Sequence, residues 1–528
     1  MSSPSDADGP VLARDRLLAR LAATPAWDIV IIGGGASGLG CALEAATRGH
    51  AVLLVEARDF AAGTSSRSTK LIHGGLRYLA QGKLGLVREA LAERAVLLRN
   101  APGLVRPQRF VVPTKGWVEH ARLRLGLALY DRFAGAGLIA PSVPLSRSEL
   151  QAALPTLRRE RADRGMAYWD AQFDDAGLAI ALARTASREG ALVLNHCSVD
   201  GLVVEGGRVC GVALRERESG RVCQVAACVV INAAGVWGDA VRRLADPAAP
   251  ALLRPSQGVH VVVERAFLPG RDALLVPRTA DERVLFVIPW QGRVLIGTTD
   301  TARDDVPDEP EPLAGEIDFL LDAATNYLSR APRREEVRSV FGGLRPLLGG
   351  GGGGATKGLS REHRVDVSAQ GLVSLLGGKW TTYRRMAEDA VDVAEEVAGW
   401  PRRPSVTAGL ALDEGGLWAR NEGAGQAGEG RSEAASEAAS DGLPPSAAEV
   451  RHAVREAFAL GVEDVLARRS RLLFRDAAAA RAAAPRVAAV LGAERGWSAG
   501  RLAAECAAFD HLATRYMACS RTRASSPP

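Results

Sequence analysis

Residues 29–38 read Ile29-Val30-Ile31-Ile32-Gly33-Gly34-Gly35-Ala36-Ser37-Gly38. A β-rich apolar run ends in glycines spaced G-x-G-x-x-G and passes straight into a small-residue helical stretch. Glycines at 33, 35 and 38 suit that junction because the turn is tight, a pyrophosphate must approach the backbone, and the helix must pack closely on the strand. The helix N-terminus, with Ser37 in its first turn, offers N–H groups and the positive end of a dipole to phosphates. A second strand follows at Ala51 to Val55, and Glu56 closes it 18 positions after Gly38. A carboxylate there accepts from ribose hydroxyls and repels a 2′-phosphate. Strand, loop, helix, strand and terminal acid together predict a βαβ unit that holds an ADP moiety. They leave NAD and FAD open.

The rest of the chain must accommodate this unit. At 528 residues it is long for one core, so two or three domains are expected. Its 47% hydrophobic and 24% charged residues are ordinary for a folded soluble chain. A net charge of +5 over this length argues against nucleic acid as the main partner and fits a small anionic substrate. Seven cysteines, scattered and without C-x-x-C pairs, read as a reduced, cytosolic chain with no structural metal and no redox dithiol. The segment Val11 to Ala23 carries Arg14, Asp15, Arg16 and Arg20 within its apolar pattern, which suits an amphipathic helix and not a secretory signal. No apolar run reaches the ~18 residues of a spanning helix, so any membrane association is expected from one face.

Periodicity organises the remainder. Leu84 to Asn100 and Gly116 to Leu138 have helical spacing, the second with Arg122, Arg124 and Arg132 among its leucines. It reads as a solvated surface helix or as one lying on a membrane. Strand-like stretches follow at Val193 to Val204, Val222 to Asn232 and Val259 to Glu264, with a hairpin from Arg283 to Thr298 turning at Gln291-Gly292. Gly349 to Gly354 and the Gly/Ala/Ser/Glu-rich Glu414 to Ser446 read as a loop and a flexible linker. Ala447 to Ala518 reads as a small helical domain.

Downstream of Glu56 lies Ala62-Gly63-Thr64-Ser65-Ser66-Arg67-Ser68-Thr69-Lys70-Leu71-Ile72-His73-Gly74-Gly75-Leu76-Arg77-Tyr78. Together with the glycine loop, this run closely resembles the FAD-dependent glycerol-3-phosphate dehydrogenases, a branch of the glutathione-reductase-like flavoproteins. The resemblance continues through Asn232 to Trp237, Gly258-Val259-His260, Ile288-Pro289-Trp290, Gly297 to Asp300, Gly342-Gly343-Leu344-Arg345-Pro346, Gly377 to Arg384 and Glu463 to Arg469. It implies an α/β fold with a glutathione-reductase-like FAD-binding Rossmann domain, an antiparallel β-sheet substrate domain and a helical C-terminal domain. The expected partition is an arm at 1–26, an oxidoreductase unit at 27–400, a linker at 413–446 and the helical domain at 447–520. Within the oxidoreductase unit, FAD-binding segments are expected near 27–80, 165–245 and 340–400, a helical segment near 81–150, and the substrate β-domain near 250–340.

The resemblance also implies roles. The reaction is oxidation of sn-glycerol 3-phosphate at C2, with a quinone as acceptor and the protein on the cytoplasmic face of the membrane. A homodimer is left open. An oxygen-using oxidase, a dehydrogenase of another substrate, and a degenerate flavin-binding paralogue stand as alternatives. Alcohol oxidation needs a hydride acceptor, a base for the hydroxyl proton, and donors that hold the substrate in place. FAD supplies the first. Guanidinium forks match phosphate oxygens, and the resemblance implies Arg345 and Arg361 as the phosphate binders, with Arg77 and Tyr78 near the flavin. His260 is the candidate base, since imidazole takes protons near neutral pH; a strand histidine satisfied by its neighbours is the other reading. Lysine is rare here, so Lys70 and Lys379 are expected to have specific contacts. Ser65, Ser66 and Lys70 are expected along the pyrophosphate and ring. Gly235, Gly377 and Gly378 are expected where the backbone nears the cofactor, and Thr381 and Thr382 at the start of a helix beneath the ring. Two positions depart from the family pattern: Gly177 stands where many relatives have arginine, and Gln257 where a lysine is common. Each is expected to remove a positive charge near the substrate pocket.

Overall fold

The computed structural model describes residues 13–80, 82–276, 284–349, 362–415 and 444–518, the side chains of Arg77 and Ala80 excepted. Arg361, most of the glycine run, the first residue of the expected hairpin and most of the expected linker lie outside the described residues.

The apolar run that opens the sequence becomes the strand Ala26–Ile32, with Ile29, Val30 and Ile31 fully buried. A strand apolar on both faces belongs inside a parallel sheet covered on each side. Its neighbours are parallel: Val52–Val55 on one flank and Val222–Asn232 on the other, extended outward by Leu192–Leu194 and Val373–Gly377. Three further strands join antiparallel, giving an eight-stranded sheet. The helices Ala36–Thr47 and Tyr383–Ala398 pack on it and on each other so closely that a β-carbon on Gly40 would lie 2.9 Å from the Tyr383 ring. Each fully buried valine or isoleucine of this layer contributes about 1.5–3 kcal/mol.

The second sheet has ten strands, nearly all antiparallel, ordered around Leu253–Glu264, Arg293–Gly297 and Leu285–Trp290. The Gln291-Gly292 turn joins the last two, both residues at positive φ, as a two-residue hairpin requires. One pairing departs from the expected antiparallel pattern: Ala273–Val276 runs parallel to Val105–Thr114. That strand interrupts a segment read as helical, and it carries Pro107 and Pro113, which blur its period. It pairs along its length with Arg164–Phe173.

The C-terminal helices Ala447–Glu456, Ala477–Arg495 and Ala499–Arg515 form their own apolar cluster, which continues into Val262, Trp290, Leu295 and Phe341 of the second sheet. Buried ion pairs from Arg468 and Arg469 to Asp59 tie the same region to the first sheet. Among the described residues no helix is long and apolar enough to cross a membrane.

Candidate active site

One cavity of about 460 Å³ runs between the two sheets. At one end it is walled by Gly33, Gly35, Ser37 and Glu56, and at the other by His260, Arg345, Lys379 and Tyr78.

The first end is shaped by close backbone approach. Gly33 has φ +109, and a β-carbon on it would lie 2.6 Å from the Ala233 carbonyl oxygen; one on Gly38 would overlap the Gly33 carbonyl. Gly38 lies beneath the wall and not in it, which is the helix-packing role of the third glycine. Gly35 caps the helix without a side chain, so the N–H groups of the first turn face the cavity, where Ala36 N donates to Ser65 Oγ over 2.9 Å. Glu56 accepts from Gly34 N (2.7 Å) and Arg58 N (2.8 Å). A carboxylate offers about four acceptor sites, so two remain for a diol. Gly235, at φ +59, and Trp237 complete this end, with the Arg58 guanidinium 5.0 Å from the Trp237 ring. A glycine cradle, an uncapped helix start and a pinned carboxylate suit the pyrophosphate and ribose of a dinucleotide.

The far end is built on two paired strands. Leu253–Glu264 and Val337–Leu348 place His260 opposite Phe341, Gly258 opposite Gly343, and Ser256 opposite Arg345. Side chains alternate across a strand, so these residues share one face. The two glycines admit close neighbours, the Arg345 guanidinium against Gly258 and Arg67 against Gly343. The Arg345 guanidinium donates through Nη2 to Thr298 Oγ1 and the Thr299 carbonyl, both at 3.0 Å, and lies 3.8 Å from the Asp300 carboxylate. The imidazole of His260 stacks on Phe341 with ring centroids 5.1 Å apart, and its Nε2 is 2.9 Å from Thr69 Oγ1. Burial first, then the charges of Lys70 and Arg345, hold His260 well below the usual histidine range, so the ring is neutral at pH 7. Lys379 Nζ sits 3.9 Å above the Tyr78 ring. Gly377 and Gly378 have φ +76 and +81 on the wall, and Thr381 is on it.

Several expected residues lie elsewhere. Lys70 is fully buried behind the cavity, its Nζ donating to Asp175 Oδ2 and to the Ser66 carbonyl, both at 2.6 Å. Its rarity marks an internal ion pair and not a contact along the wall. The Ser66 hydroxyl is buried off the wall as well, while Ser65 is on it. Thr382 is turned away, its Oγ1 3.5 Å from the Lys379 carbonyl, at the start of the helix below. The two departures from the family pattern also need correction. Gln257 alternates with Gly258 and points the other way, donating to Glu316 Oε2 over 2.7 Å. A lysine there would meet Glu316 and not the cavity. Gly177 sits in the helix Asp175–Arg188, next to Asp174 and Leu104 and off the wall. Arg361 lies outside the described residues, as does the side chain of Arg77.

Thr69 was legible only as part of a motif, yet it stands on the wall against His260. Lys70, at φ +63, lies outside any strand, so no alternation in the sequence could have placed Thr69 there. Arg67, another unassigned member of that run, lines the wall and forms a two-pronged pair with Glu309 at 2.5 and 2.7 Å.

Residues 28–384 match the FAD dependent oxidoreductase family, and residues 424–502 match the C-terminal domain of alpha-glycerophosphate oxidase. The chain is 38% identical to the mitochondrial glycerol-3-phosphate dehydrogenase of Macaca fascicularis, over 94% of this chain and 74% of that protein. It is 44% identical to glycerol-3-phosphate dehydrogenase 2 of Mycobacterium tuberculosis, over 74% of this chain and 66% of that protein. Among solved structures, the glycerol-3-phosphate dehydrogenase from Bacillus halodurans complexed with FAD superposes with a TM-score of 0.77 at 25% identity, covering 98% of this chain and all of the other. The L-alpha-glycerophosphate oxidase of Mycoplasma pneumoniae, 18% identical with a TM-score of 0.56, shares the fold. With FAD as its cofactor, the chain belongs to the FAD-dependent glycerol-3-phosphate dehydrogenase family.

Proposed function

We propose that the protein oxidises sn-glycerol 3-phosphate at its C2 hydroxyl to dihydroxyacetone phosphate. The observation that carries this reading is the ladder of Ser256/Arg345, Gly258/Gly343 and His260/Phe341, which sets a phosphate-matching guanidinium and a neutral imidazole on one face and on the wall of one cavity. FAD, when bound, supplies the hydride acceptor.

The chain's own residues supply the rest. Arg345 presents donors to the phosphate, and its half-buried position strengthens a charge-assisted pair. Arg361 serves the same end in this reading, and Arg77 stands near the flavin. In this reading His260 takes the C2 hydroxyl proton, since a neutral imidazole keeps one unprotonated nitrogen. The two positive charges that depress its basicity include Arg345, so a phosphate dianion on Arg345 offsets one of them and makes the base stronger as substrate arrives. Lys379 and Tyr78 close the cavity beside the ring.

Electrons pass in this reading to a membrane quinone, with the protein lying on the cytoplasmic face. Support comes from the helix Trp117–Ala134, where Val118, Leu125 and Leu129 form an exposed stripe with Arg122 and Arg132 along its edges. An exposed apolar stripe edged with arginine suits a bilayer surface containing anionic lipid. The sequence partition into an oxidoreductase unit at 27–400 and a helical unit at 447–520 is part of the same proposal.

The test is anaerobic mixing of the yellow holoenzyme with glycerol 3-phosphate, glycerol, lactate and amino acids. Bleaching of the flavin band by glycerol 3-phosphate alone supports the reading, and bleaching by another substrate, or by none, overturns it. Stoichiometric peroxide in air would assign the acceptor to oxygen and overturn the quinone.

A further inference from the structure

Among the described residues, the His260 imidazole makes its hydrogen-bonding contact with Thr69, whose Oγ1 is 2.9 Å from Nε2. The other ring nitrogen, Nδ1, is buried and has no partner among the described residues. Stacking on Phe341 and close packing against Gly297 confine the ring to one plane, in which two orientations related by a half-turn about the Cβ–Cγ bond occupy nearly the same space. The Thr69 hydroxyl therefore selects the rotamer, and because a neutral imidazole carries a single proton, it also biases which nitrogen bears it.

Thr69 is itself held from both sides. Ser68 donates to Asp175 Oδ2 through its N (3.2 Å) and Oγ (2.7 Å), and Lys70 donates to the same oxygen through Nζ (2.6 Å). Arg471, from the C-terminal helical region, takes the other oxygen of that carboxylate: Nη2 donates to Asp175 Oδ1 at 2.9 Å and to the Ser66 carbonyl at 2.8 Å. Lys70 reaches the same carbonyl at 2.6 Å. Two cations from distant parts of the chain thus share two acceptors. Both lie over aromatic faces, Lys70 at 5.2 Å from Phe341 and Arg471 at 4.4 Å from Phe474, which with Asp175 supports the charges, against a burial that pulls the Lys70 ammonium down to about 7. Phe341 is the ring on which His260 stacks.

We propose that Thr69 is the positioning residue of His260, and that Lys70 and Arg471, clamped on Asp175 and the Ser66 carbonyl, hold Thr69 in register. The C-terminal helical region then governs the alignment of the proton acceptor without reaching the substrate. This rests on the reading of His260 given above.

Four variants of the full-length holoenzyme test it: Thr69→Ser, Thr69→Val, Arg471→Met and the double variant Thr69→Val/Arg471→Met. The expected result is FAD retention throughout, KM for glycerol 3-phosphate within about threefold of the parent, and kcat lowered on the order of 10–100-fold in Thr69→Val and in Arg471→Met. Thr69→Ser restores kcat. The double variant falls no further than Thr69→Val alone, because both substitutions break one chain of contacts. If Arg471→Met does not accumulate as yellow protein, Arg471→Lys is measured in its place. A readout independent of turnover is the nitrogen spectrum of histidine-labelled oxidised holoenzyme, with His260 assigned by its loss in His260→Gln. One fixed tautomer in the parent should become a mixture in Thr69→Val and in Arg471→Met. Unchanged kcat in Thr69→Val, multiplied losses in the double variant, or an unaltered His260 signal would each overturn the proposal. A parent enzyme that glycerol 3-phosphate does not reduce would instead remove the functional reading, while the tautomer measurement still decides the positioning claim.

Discussion

The Arg345 guanidinium lies against the α-carbon of Gly258: a methyl group added there would come within 2.6 Å of Cζ. Gly258 is thus the floor on which the arginine rests, and the arginine in turn lines the cavity. Gly258→Ala should displace Arg345 without disturbing the glycine cradle at the other end of the cavity. The expected outcome is a KM for glycerol 3-phosphate raised about 10–100-fold, the equivalent of one charge-assisted hydrogen bond, with FAD content unchanged. Equal KM in the two proteins would show that Arg345 does not bind the phosphate.

His260→Gln keeps a polar side chain of similar reach but removes the proton acceptor. A loss of about 10²–10⁴ in kcat is expected, with flavin absorption intact. Steady-state kinetics beside the flavin spectrum distinguish this from misfolding.

Glu56 bonds two backbone N–H groups that frame the cavity, those of Gly34 and Arg58. Glu56→Ala leaves both without their acceptor and removes the sites offered to a ribose. Affinity for FAD should fall about 10–100-fold, on the basis of roughly 1.5–3 kcal/mol per hydrogen bond to a charged group. Cofactor retained through exhaustive dialysis reports it.

His196 and Asp464 link the first sheet to the C-terminal region through a 3.0 Å contact, with Asp59 and Arg468 facing the same imidazole. Burial lowers the affinity of His196 for protons, but Asp464 and Asp59 outweigh it and raise the group above the ordinary histidine value. Asp464 is buried too, yet His196 and the two arginines hold it well below the ordinary carboxylate range. The raised histidine contributes stability in full below about pH 6.5 and loses it as pH rises through its folded value; the depressed aspartate contributes above about pH 4 and loses it as pH falls. Thermal stability should therefore be greatest between those limits. His196→Gln should flatten the decline on the alkaline side, as scanning calorimetry across pH would show.

The stripe on the helix Trp117–Ala134 predicts binding to vesicles. Leu125 is 75% exposed, so Leu125→Asp should leave folding and the reduction of FAD by substrate unaltered. Flotation with vesicles containing anionic lipid should drop several-fold for this variant. Equal flotation would place the membrane contact elsewhere.

The sequence alone determined what short-range geometry can decide. Gly33, Gly35, Gly38 and Glu56 lie within one βαβ unit, where strand period, turn and helix start leave little freedom. The same holds for the Gln291-Gly292 hairpin. The tertiary structure decided which face each polar residue of a motif presents. Lys70 was legible as special, but its partners stand 105 positions away in Asp175 and 4 in the Ser66 carbonyl, and only their burial together sends the ammonium inward and leaves Thr69 on the cavity. Gln257 and Gly258 are neighbours in the chain; pairing with Val337–Leu348 sets one on Glu316 and the other under Arg345. Arg471 had no role in the sequence reading, and it gains one only because the C-terminal helices bury it against Asp175. A buried charge must be paired, and the partner that satisfies it is chosen by packing, which no local pattern encodes.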